Sequence, residues 1–146
     1  MDIEILLRKY PDIPEIIQKY NTELNKTLQG KIDIQDTLKA SSSNGVPKSS
    51  KVSNSTLKAV EMSIDKYDEH ILYLTNQINF YLETKKKIDL AMQELKQKEY
   101  RVIELLYFDR YSVYRVRKIL HYEKTQIYEF RNKALQKLQA KINQFT

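Results

Sequence analysis

Twelve positions from Leu57 to Leu95 alternate three and four residues apart without a slip: Leu57, Val60, Ile64, Tyr67, Ile71, Leu74, Ile78, Tyr81, Lys85, Ile88, Met92 and Leu95. A repeat of 3.5 residues sustained this long excludes a strand, whose faces alternate every second residue. It predicts a helix with one narrow apolar seam that winds left-handed around a partner. Lys85 is the only charged member of the seam, and a single polar seam residue weakens pairing locally while fixing register. Two partners fit. A shorter seam at Tyr10, Ile13, Ile17, Tyr20 and Leu24 has the same spacing and can fold back antiparallel, or two copies of the long helix can pair as a homodimer.

Before this run, Pro11 and Pro14 end a first short helix near Tyr10, because proline has no N–H to give to a helix interior. Asp12 then suits the cap of a second helix, with Pro14 in its first turn. Gly30 reads as the stop of that element. Residues 40–55 are Ser-rich, with Gly45 and Pro47, and read as a flexible linker without core-forming side chains.

Beyond the long seam lie three apolar stripes of helical period. Tyr100, Ile103, Leu106 and Tyr107 form the first, Val113, Val116, Ile119 and Leu120 the second, and Ile127, Phe130, Ala134, Leu135 and Leu138 the third. Asp109-Arg110-Tyr111 makes a corner, and Ser112 suits the cap of the middle helix. Only His121, Tyr122 and Glu123 separate the second and third stripes, which is too short for a sheet crossover but suits the tight turn of a helix-turn-helix. Glu caps poorly, so the last helix starts at Lys124 or at Thr125.

Composition agrees with an all-α chain. There are two Gly, three Pro and no Trp in 146 residues, and no alternating strands flank a hairpin turn. The absence of Cys removes disulfides and thiol chemistry and fits a reducing cytoplasm. No apolar run nears the roughly 20 residues of a membrane span, and no signal-peptide pattern precedes the first acidic residues. No catalytic constellation stands out, no cofactor motif is present, and His70 and His121, isolated from Cys or grouped carboxylates, do not form a metal site.

The net charge of +6 is unevenly placed. Residues 96–146 hold 12 Lys/Arg against 5 Asp/Glu, whereas residues 1–95 hold 13 against 14. The whole excess falls on the three short stripes, as phosphate binding requires, since neutralising phosphates releases condensed counterions. The other reading of such helices is that Lys-rich surfaces are simply well solvated.

The residues Val102-Ile103, Leu106-Tyr107, Val116, Ile119-Leu120, Ile127-Tyr128, Ala134-Leu135 and Leu138 resemble the C-terminal helix-turn-helix (region 4) of bacterial sigma factors. More closely, they are similar to the RinA/ArpU-like late-transcription regulators of phage and prophage. The resemblance covers about a third of the chain, and it departs where such modules carry Gly and a Ser or Thr cap, here His121 and Glu123. It implies a sequence-specific double-stranded DNA-binding transcription regulator, not an enzyme. Its recognition helix, near 124–140, would lie in the major groove, and its partners would be duplex DNA and RNA polymerase. The location implied is the bacterial cytoplasm, associated with the nucleoid. On this basis Lys124, Thr125, Tyr128 and Glu129 are expected at base edges, where Lys suits guanine, Thr a thymine methyl and Glu cytosine N4. Tyr114, Arg115, Lys118, Arg131 and Lys133 are expected at phosphates.

The chain thus divides into an N-terminal helical segment (1–39), a Ser-rich linker (40–55), a long coiled-coil helix (56–95) and a three-helix helix-turn-helix DNA-binding domain (96–146). Two other functions fit the same pattern: a small terminase subunit of a packaging machine, and a coiled-coil interaction or inhibitor protein whose basic end meets another protein.

Overall fold

The computed structural model describes residues 1–43 and 54–145, and all regular structure among them is helical. In order these are α1 (Ile3–Lys9), a 3-10 turn (Tyr10–Asp12), α2 (Ile13–Ser43), α3 (Asn54–Met92), α4 (Gln97–Ile103) running on into a π-helical turn (Glu104–Phe108), α5 (Val113–Leu120) and α6 (Lys124–Gln144). The chain forms two compact units, Met1–Ile16 with Phe80–Thr146, and Ile17–Asn79.

The expected stop at Gly30 is absent: α2 runs through it to Ser43. An internal glycine costs only about 1 kcal/mol relative to Ala, and here its missing side chain is used. A Cβ at Gly30 would lie 3.1 Å from Cε1 and from the hydroxyl oxygen of Tyr67. The Ile17–Asn79 unit is therefore an antiparallel pair within one chain, closed at Gly30 by direct approach of the Tyr67 ring. Lys31 pairs with Asp68 at 2.5 Å and His70 Nε2 with Glu23 at 2.9 Å on the same pair of helices. Leu74 of the seam is fully buried. The expected linker is also narrower than 40–55, because residues 40–43 belong to α2 and residues 54–55 to α3. Its remainder, residues 44–53, lies outside the described residues.

In the other unit the seam continues with Ile88 and Met92, which join Ile3, Leu6 and Leu7 of α1, Ile103 and Tyr107, and Ala134, Leu138 and Ile142 of α6 in one core. Lys85, the charged seam member, pairs with Asp89 at 2.9 Å and lies 5.5 Å from the centre of the Tyr10 ring. Its charge is thus served locally by an acid one turn on and an aromatic face. The long helix ends at Met92 rather than Leu95. Leu95 N–H bonds back to the Met92 carbonyl at 3.2 Å in a tight turn that delivers the Leu95 side chain to the same core.

A second core, smaller, is built from Val102, Leu105, Val116 and Ile127, with Val113, Leu120, Tyr122 and Phe130 against it. The turn from Glu104 to Phe108 joins the two cores. Its Asp109 N–H bonds to the Glu104 carbonyl at 2.9 Å and Tyr111 N–H to Leu105 at 2.9 Å, wider than the ordinary four-residue step. Four consecutive apolar residues cannot share one face of a regular helix, and the wide turn spreads them. Leu105 enters the smaller core and Tyr107 the larger. Tyr100, expected in the first stripe, is 39% exposed; Ile103 of that stripe is fully buried, and Val102 takes the place in the core that Tyr100 leaves.

Candidate nucleic-acid interface

Two helices joined by a three-residue turn present a group of cations without carboxylate partners. Ser112 caps α5 by accepting the Arg115 N–H at 3.2 Å. At the other end His121 takes the left-handed conformation, φ 59° and ψ 35°, and its N–H closes on the Arg117 carbonyl at 2.8 Å. This is the conformation a glycine adopts without steric cost, so the histidine fulfils the geometry from a strained backbone. The last helix starts at Lys124, not Thr125. Gln126 Oε1 accepts the Glu123 N–H at 3.0 Å, in the manner of a capping box, and this offsets the poor intrinsic capping of Glu.

Val116 and Ile127 are fully buried where α5 and α6 meet, which fixes which faces remain outside. On α6, Lys124, Thr125, Glu129 and Lys133 are exposed, while Tyr128 and Arg131 are half-buried. Lys124 and Arg131 flank the Tyr128 ring, at 5.8 Å and 4.8 Å from its centre. These three form a row at steps of four and three residues, and Thr125 adjoins it. Tyr122 packs against Phe130 with ring centres 5.4 Å apart and leaves the Tyr128 ring to the two cations. Lys133 is not brought to the row. It lies one turn before Lys137, which pairs with Glu99 at 2.8 Å, and so faces the α4 side of the helix.

On α5, Tyr114 is 63% exposed with Lys118 at 4.5 Å from its ring centre, and Arg115 stacks at 4.0 Å on Tyr111. Cations held over aromatic faces keep their charge outward while their stems are ordered. Residues 112–133 carry six Lys/Arg and two Glu. Among the described residues none of those six cations pairs with a carboxylate, whereas Lys85, Arg101, Arg110, Lys137 and Lys141 in the same unit each do. Sequence reasoning missed Arg8 and Arg110, which lie in the same unit beside Arg131; no local pattern signals them.

Among the described residues no group of three or more His, Cys, Asp or Glu is placed to hold a metal ion. None of the described helices is long and apolar enough to cross a membrane. No protein-family model, curated protein or solved structure matches this chain.

Proposed function

We propose that the chain is a sequence-specific duplex-DNA-binding transcription regulator of phage or prophage type, built on a sigma-like helix-turn-helix formed by α4, α5 and α6. The observation that carries this reading is the set of five unpaired cations on α5 and the start of α6, Arg115, Arg117, Lys118, Lys124 and Arg131, several of them held over tyrosine faces. In this reading α6 lies in the major groove, with Lys124, Thr125, Tyr128 and Glu129 at base edges. Tyr114, Arg115 and Lys118 of α5, with Arg131, take phosphates and set the register of the helix on the duplex. The α2–α3 pair carries assembly or polymerase contact. Since Leu74 and Tyr67 of the seam face α2, that contact would use the outward Met62, Leu72 and Tyr73, which are 61%, 62% and 51% exposed.

The test is equilibrium binding of a labelled duplex by the full chain and by Lys124→Ala and Arg131→Ala. Each substitution should weaken binding about tenfold, because a well-made contact at a base or phosphate contributes roughly 1–3 kcal/mol. Affinity unchanged by both, with the fold intact by circular dichroism, defeats this docking.

A further inference from the structure

Within the unit that holds α5 and α6, a depression of about 400 Å³ is rimmed by Arg8, Arg110 and Arg131 over a floor of Leu106, Tyr107 and Val113. Its three arginines come from α1, from the corner before α5, and from α6. Arg110 reaches the rim from a left-handed backbone, φ 57°, and its Nη2 donates to the Arg8 carbonyl at 3.1 Å and to Asp12 Oδ2 at 2.7 Å. Among the described residues no carboxylate pairs with Arg8 or Arg131, although Arg131 donates to Asn132 Oδ1 at 3.1 Å. The neighbouring acids are engaged: Asp12 holds Arg110, and Glu4 accepts the Tyr107 hydroxyl at 3.0 Å.

Three guanidinium groups against two committed carboxylates leave a positive surplus, and a concave apolar wall focuses its field. Each guanidinium presents a planar fork of donors that matches the oxygens of a phosphate. Ligand pockets begin at roughly 300 Å³, so this depression has room for a phosphate together with the sugar it is bonded to.

We propose that the depression is a phosphate-ester site, with the phosphate oxygens on Arg8 and Arg131 and the sugar over Leu106, Tyr107 and Val113. The same chemistry has two sources. One is the backbone of the bound duplex, which rests on the function proposed above and makes α1 part of the interface. The other is a free nucleotide, which does not rest on it.

Arg8→Gln separates the cases, since the Arg8 side chain is exposed and outside the core; Arg131→Gln provides a second variant. Binding of a labelled duplex is measured across a salt series, and adenosine 5′-monophosphate is titrated calorimetrically into the full chain. If the source is duplex backbone, Arg8→Gln weakens duplex binding and lowers the slope of log affinity against log salt by about 1. If the source is a free nucleotide, the wild-type chain binds the monophosphate and both variants lose that heat, while Arg8→Gln leaves the duplex slope unchanged. A duplex slope indifferent to Arg8, together with no heat from the monophosphate, overturns the site while leaving the Lys124-dependent reading intact. A wild-type chain that binds no duplex defeats the proposed function instead, and the monophosphate titration then decides the site alone.

Discussion

Lys137 Nζ lies 2.8 Å and 2.9 Å from the two carboxylate oxygens of Glu99, and Glu99 keeps only 3% of its surface exposed. This pair ties the middle of α6 to the start of α4, and with it the orientation of the face that carries Lys124 and Tyr128. Replacing Lys137 with Met strands a buried carboxylate, which should cost about 2 kcal/mol in urea unfolding. Adding Glu99→Leu should restore most of that loss, because an apolar pair of similar size removes the stranded charge. A double variant no more stable than Lys137→Met would show that the carboxylate is not stranded.

His121 holds a left-handed backbone at the turn between α5 and α6. That conformation costs an L residue about 1–2 kcal/mol, whereas glycine loses roughly 0.5–1 kcal/mol through its greater freedom when unfolded. His121→Gly should therefore raise the unfolding free energy by up to about 1 kcal/mol, and His121→Val should lower it by about 1 kcal/mol or more. Thermal or urea midpoints in the reverse order would contradict the turn geometry.

Gly30 and Tyr67 should be energetically coupled. Gly30→Ala gains about 1 kcal/mol of helix propensity but places a methyl group 3.1 Å from the Tyr67 ring. In the wild-type background these effects should nearly cancel. In a Tyr67→Leu background the same substitution should recover the full gain. A double-mutant cycle with no coupling would mean that the two helices do not approach there.

Tyr107 carries a hydroxyl pushed from its ordinary value of 10.0 up to about 12, first by burial and then by its hydrogen bond to Glu4. Burial and the bond to Asp89 also raise Tyr10. A folded-state value above the unfolded one means that the native chain keeps its proton longer. The associated stability is fully present below about pH 10 and is lost as pH rises toward 12. Urea midpoints should fall more steeply between pH 10 and pH 12 for the wild type than for Tyr107→Phe; parallel falls would remove Tyr107 from the linkage.

Much of the helical layout was legible in the sequence, and the reasons are local. Ser112 as a cap, the 3.6-residue period from Val113 to Leu120, and the short segment 121–123 each announce themselves within one turn. The bounds of α5 match that expectation residue for residue. What escaped depends on contacts distant in the chain. Gly30 looks like a stop until Tyr67 is seen against it. Ile103, Leu106 and Tyr107 read as one stripe that leaves Leu105 out, since nothing local tells one core from two. The docking of α1, where Ile3 N–H bonds Gln139 Oε1 at 3.0 Å across 136 residues, has no sequence signature. For the same reason Arg8 could not be grouped with Arg131, nor Lys133 separated from it.

Selection of bound duplexes from a random pool by the full chain, repeated with Lys124→Ala, asks whether α6 reads DNA sequence. A recurring sequence enriched by the wild type, and lost when Lys124 is removed, is the expected result. No retained duplex at low salt, or retention without any recurring sequence, would contradict a reader built on α6.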